Sequence, residues 1–194
     1  MSSGNLLDSL NKSEEKAYKL LTEFAADEEF GEKIASAFGD DLDNAGIEAL
    51  RQLWKSGDFT GLPAVEIRSA ADINGANGAF SADTNKIYLS GEYLALNGGD
   101  GSAIADVLLE EIGHFVDGRI NISDAPGDEG AIFSALVQGV QLDEPALQAL
   151  KTENDTVVLT LDGKVIQLEQ QNFTGKFTNA IALVNLPVKF CCSS

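Results

Sequence analysis

Residues 107–117 read Val107-Leu108-Leu109-Glu110-Glu111-Ile112-Gly113-His114-Phe115-Val116-Asp117. Together with Ile104, the residues Val107, Leu108, Ile112 and Phe115 recur at steps of three and four, which predicts a helix over residues 102–117 with one strongly apolar face. Side chains three and four apart on a helix are neighbours, so Glu110 and Glu111 both stand beside His114, and Asp117 follows one turn later. His114 is the single histidine of the chain.

Working outward, the preceding Asn97-Gly98-Gly99-Asp100-Gly101 is a Gly/Asp loop, which reads as a turn rather than a site. Before it, residues 78–80 and 86–90 flank a turn at 81–85 and predict a hairpin. Val65 and Ile67 alternate with Glu66 and Arg68 as in a half-buried strand. From Ser13 to about Phe59 the period is helical: Ala17, Leu20, Leu21 and Phe24, then Ile34, Ala37 and Phe38, then Ile47, Leu50, Leu53 and Trp54. Three short helices are expected, punctuated by Gly31, Gly39 and Gly57, with Ser13 as half of a capping box. Asp41-Leu42-Asp43-Asn44-Ala45-Gly46 is similar to an EF-hand loop, but Ala45 fills a ligand position and Gln52 stands where the bidentate glutamate belongs.

On the other side, a polar loop over residues 121–127 leads to a second helix, residues 128–138, carrying Ile132, Phe133, Leu136 and Val137. Asp143-Glu144-Pro145 opens a short third helix, because proline is tolerated in a first turn. Residues 157–161 and 164–168, joined by Asp162-Gly163, are the clearest hairpin. The fold class is therefore α+β: a helical N-terminal region (1–62), an α+β region with a small sheet and a helix pair (63–169) ending in a C-terminal hairpin, and a non-acidic tail (170–194).

The 194 residues are enough to bury a substantial core in one domain, or one with an appendage. A formal charge of −18 argues against sequence-independent binding to nucleic acid and makes cations the expected small partners. No stretch is apolar for long enough to span a membrane, and the first residues carry no signal-peptide pattern, so export would need another route. Cys191 and Cys192 are adjacent and could not staple distant parts of the chain.

The chemistry lies in the helix at 102–117. Zinc peptidases use HExxH because two histidines four apart hold one metal while the intervening glutamate activates a water beside it. Glu110-Glu111-Ile112-Gly113-His114 keeps the glutamate and the second histidine and puts Glu110 in the first ligand position. A carboxylate adds negative charge where imidazole is neutral, lowers the metal's Lewis acidity and leaves a harder site. Manganese, iron or calcium gain on zinc, and loss of the metal is an alternative. Glu129 is the candidate third ligand, with Asp128 as the other choice; Asp117, and Asp128 if it is not a ligand, would stand behind the ligands, Asp117 toward the ring's other nitrogen. The competing reading is structural: His114 is a core-edge histidine held by carboxylates, with Asp128 and Glu129 serving the positive end of their helix.

The order of residues 78–80 and 87–89, then 107–117, then Asp128-Glu129-Gly130-Ala131-Ile132-Phe133, resembles the zincin-like metallopeptidases of the lethal-factor type. In those a strand hairpin precedes an HExGHxxD helix and a later glutamate completes the site. The resemblance implies Glu111 as general base, His114 as ligand and Glu129 as last ligand of a peptidase acting on a peptide or protein substrate. The departure at Glu110 implies weak activity or none. Residues 24–169 also resemble a module of large cyanobacterial secreted proteins that carry calcium-binding glycine-rich repeats. That implies type I secretion, with the protein cytoplasmic before export.

The tail changes character abruptly. All 31 acidic residues lie at or before Glu169, and only Lys176 and Lys189 are charged beyond it. The tail reads as a last strand, or as the Cys/Ser/Thr-containing core of a ribosomally made modified peptide, acted on by a modifying enzyme and preceded by an acidic leader. Residues 20–38 faintly resemble the leader helices of such precursors. A non-catalytic secreted interaction module is the remaining class. Because the core segments precede the tail, deletion of residues 170–194 is expected to leave cooperative unfolding intact; loss of the transition in a denaturant titration would show that the tail belongs to the core.

Overall fold

The computed structural model describes residues 3–99, 101–121 and 127–170. The readings of the tail as strand or modified core, including Cys191 and Cys192, lie outside the described residues, as do Asp100 and residues 122–126.

Among the described residues the chain forms seven α-helices and one five-stranded mixed sheet, the expected α+β class with a helical N-terminus. Helices α1 (Ser3–Ala26), α2 (Phe30–Phe38) and α3 (Asn44–Lys55) come first. Strand β1 (Ala64–Arg68) and the hairpin β2 (Gly78–Ser81) and β3 (Lys86–Ser90) follow, then α4 (Gly91–Asn97), α5 (Ser102–Ile120), α6 (Glu129–Val137) and α7 (Glu144–Leu150). The hairpin β4 (Thr156–Leu161) and β5 (Lys164–Gln170) is last.

The sheet order is β1-β3-β2-β5-β4, with β1 and β3 parallel and the other pairs antiparallel. Its joint matters for the site, since β5 enters beside β2 by pairing Ala79 with Gln170 and Phe80 with Glu169. Gln170 then fastens the end of the strand: its side-chain amide donates to the Ile73 carbonyl at 2.7 Å and its backbone N–H to the Asp155 carbonyl at 3.1 Å. A truncation that spares the sheet therefore begins at residue 171.

Two local expectations are corrected. Helix α1 does not begin at Ser13, whose hydroxyl sits inside the helix and donates to the Ser9 carbonyl at 2.8 Å. The apolar stripe continues back through Leu6 and the buried Leu10, and burial along these added turns outweighs the cap signal. Gly31 lies inside α2 rather than ending a helix. Helix α4 is too short for its period to be read, yet Ser90 caps it by accepting the Tyr93 N–H and Leu94 anchors it in the core. The loop similar to an EF-hand serves as a cap, since an Asp43 carboxylate oxygen accepts the Ala45 N–H at 3.0 Å at the start of α3.

One hydrophobic core spans the N-terminal helices and the central helix pair. Phe24, Phe38 and Trp54 surround Phe133 of α6 at ring-centroid distances of 5.7, 5.6 and 6.1 Å. Helix α5 runs through the middle, against α1, α6 and β2. Its polar side is covered too, so that Glu110, Glu111, His114 and Asp117 are buried along with the apolar residues.

Helices α5 and α6 meet at two glycines. A Cβ on Gly113 would lie 2.7 Å from the Gly130 Cα, and one on Gly130 would lie 2.6 Å from both the Glu110 carbonyl and the His114 Nε2. Gly118, on the same helix as Gly113, has no atom within 4 Å of an added Cβ. Gly113→Ala is expected to destabilise the protein by about 1–3 kcal/mol through overpacking, whereas Gly118→Ala should stabilise it by about 1 kcal/mol through helix propensity. Chemical denaturation of both variants checks the difference; equal effects would show that the crossing is not tight.

Candidate metal centre

The site is assembled where α5, α6 and the β4–β5 hairpin meet. Helix α5 supplies Glu110, Glu111 and His114 because three- and four-residue steps return to one face. Helix α6 begins with Asp128 as its N-cap: one carboxylate oxygen accepts the Ala131 N–H at 2.8 Å, a favourable place for negative charge. The Asp128 N–H donates to the Leu150 carbonyl at 2.9 Å, so α7 fixes the entry to α6.

Candidate ligand atoms of Glu110, His114 and Asp128 all lie within 4.8 Å of one another, and those of His114, Glu129 and Glu169 form a second such set. This buried cluster of Glu, His and Asp could hold a metal ion. Each of the two acids at the start of α6 thus stands in a candidate set with His114. Asp128 joins Glu110 and His114, while Glu129 Oε1 lies 2.8 Å from His114 Nδ1 and orients the ring. Asp117 is buried on the same helix, where its Oδ1 accepts from the Asn121 amide at 2.9 Å; that amide also donates to the Phe38 carbonyl. Glu110 does not reach solvent, with an exposure of 3%.

Two residues of the site were not read from the sequence. Asp155 Oδ2 lies 3.5 Å from His114 Nε2, and Glu169 Oε2 lies 3.5 Å from Nδ1. Neither has a local spacing that ties it to α5. Their approach depends on the β2–β5 pairing, and the only sequence signal was the hairpin itself.

The electrostatics are those of an anionic cage around one ring. Burial pushes the Glu111 carboxyl well above its ordinary value, with His114 pulling the other way and neighbouring carboxylates pushing further. For His114, burial alone would lower the value. The hydrogen bond that the ring donates to Glu129 and the charges of Glu129, Glu111 and Glu169 outweigh it, so the ring holds its proton well above the ordinary imidazole range. Burial also raises Asp155 to about 6 against the pull of His114.

Both Glu111 oxygens, His114 Nε2 and Asp155 Oδ2 are buried with no hydrogen-bond partner among the described residues. Buried polar atoms are nearly always satisfied, so four such atoms in one place fit a site that takes a cation. The donors are mostly carboxylate oxygens with one imidazole, a set suited to a hard or borderline divalent ion.

Comparisons with protein-family profiles, with curated proteins and with solved structures find no match. No helix among the described residues is long and apolar enough to cross a membrane.

The position of Glu111 gives a pH prediction for the cation-free protein. Its folded value is raised above the ordinary 4.5, so its charged form is disfavoured by folding and the loss of stability begins as pH rises above that value. Glu111→Gln removes the loss. In chelator at pH 7 the variant is expected to be more stable than the wild type by about 1–3 kcal/mol, with the gap closing below the ordinary carboxylate value. Urea titrations across pH check this; a gap that is constant with pH would show that Glu111 is not charged by burial against its preference.

Proposed function

We propose that this chain is a metallopeptidase-like domain of a secreted protein whose altered site holds a divalent cation and hydrolyses peptides weakly or not at all. The observation that carries the proposal is the convergence of Glu110, His114 and Asp128 within 4.8 Å, next to a Glu111 carboxylate with no hydrogen-bond partner. Glu110, His114 and Asp128 would hold the ion, with Glu129 fixing the ring through Nδ1. Glu111 stands where the general base of such peptidases stands.

A bound ion would supply positive charge and Lewis acidity. With carboxylates from Glu110 and Asp128 beside one imidazole, that acidity is weakened and manganese, iron or calcium is favoured over zinc. Burial supports the lack of turnover: Glu111 is 0% exposed and His114 2%. Structural metal sites are closed, whereas catalytic sites keep an open position for substrate. A peptide has no approach to Glu111 unless the hairpin or helix pair moves.

Chelator-stripped protein is therefore expected to bind about one manganese or calcium ion in calorimetry, more tightly than zinc, and to leave casein and unfolded peptides uncut. Glu110→His restores the second imidazole and is expected to raise zinc affinity by about tenfold or more. Robust hydrolysis by the unmodified protein, abolished by Glu111→Gln, would overturn the proposal, as would unchanged zinc affinity in Glu110→His.

A further inference from the structure

The His114 ring is bracketed on its far side by the C-terminal hairpin, which the sequence motif does not include. Asp155 lies immediately before β4 and is 8% exposed. Its Oδ2 is 3.5 Å from His114 Nε2, too far for a hydrogen bond, and both atoms lack any hydrogen-bond partner. Two donors at neighbouring positions of one calcium ion, at right angles and about 2.4 Å from it, stand roughly 3.4 Å apart. The observed separation matches that spacing. At that distance neither atom satisfies the other.

Resting on the reading of this site as a cation centre, we propose that Asp155 supplies a further ligand from outside the helix pair, so that one divalent cation, held by His114 and Asp155, clasps the β4–β5 hairpin to α5 and α6. Glu169 takes a different part. It approaches Nδ1, the nitrogen already bonded to Glu129, and acts as a positioning residue for the ring. The hairpin is also attached by the β2–β5 pairing and the contacts of Gln170, by Leu161, Ile166 and Leu168 packed with Ile73, Ala79 and Tyr88, and by the Arg68–Asp162 ion pair and the Gln167 N–H donated to Asp83. Cation binding at α5 would add to these a tie at the residue that leads into β4. The site would then work as a cation-dependent latch on the sheet edge.

The test uses the full chain, stripped with chelator and titrated with manganese or calcium. In the wild type the ion is expected to slow amide hydrogen exchange in residues 156–170 at least tenfold, besides protecting α5 and α6. Asp155→Asn keeps the side chain's shape and removes an unpaired buried charge, so it should fold; it is expected to weaken manganese binding at least tenfold and to abolish the ion's effect on the hairpin. Glu32→Gln, at an exposed acid on α2, is expected to change affinity by less than threefold. Protection rising in α5 and α6 alone, or an Asp155→Asn variant that binds as the wild type does, would overturn the latch while leaving the cation centre standing. No binding by the wild type at millimolar ion would overturn the centre and the latch together.

Discussion

The crossing of α5 and α6 at Gly113 and Gly130 is the constraint on which the rest depends. Only hydrogen at those two positions allows the backbones to approach closely enough for His114 to lie against the first turn of α6. That approach brings Glu129 to Nδ1 and Asp128 into the set with Glu110. It also seats Phe133 among Phe24, Phe38 and Trp54, so the same contact closes the hydrophobic core and forms the polar cluster. Gly78 repeats the device on the sheet side, where an added Cβ would stand 2.7 Å from Glu111 Oε1.

The cluster is costly without a counter-charge. Each buried polar group left unsatisfied costs about 1–3 kcal/mol, and more when charged. A protonated His114 offsets part of this through Glu129, but Glu111 and the outer oxygen of Asp155 remain without hydrogen bonds. A cation present at a hundred times its dissociation constant stabilises a fold by about 2.7 kcal/mol, comparable with the penalty. Protons and a divalent ion therefore compete for the same carboxylates. The raised Glu111 and Asp155 values reflect the cage in its cation-free form.

Much of the fold was legible because its signals are local. The apolar period of α5 and α6, the Asp162-Gly163 turn and the Pro145 helix start all record in a few residues what their backbone does. The identity of the central site residues was legible for the same reason, since Glu110, Glu111 and His114 share a helix face. A choice between Asp128 and Glu129 was not legible, because they are adjacent and each stands in a candidate set with His114. Asp155 and Glu169 could not be found at all by spacing, as their placement is a consequence of strand pairing. Burial of the polar side of α5 was likewise hidden, since a helix that is apolar on one face does not declare that a hairpin and a second helix cover the other.

The most direct measurement is anomalous X-ray scattering from crystals grown with manganese. The account predicts a single peak among the carboxylates of Glu110 and Asp128 and the His114 ring, about 2.0–2.3 Å from its donor atoms. An ordered His114 ring with no peak beside it, its Nε2 bonded directly to a carboxylate, would contradict the account and leave a buried ion pair in place of a metal centre.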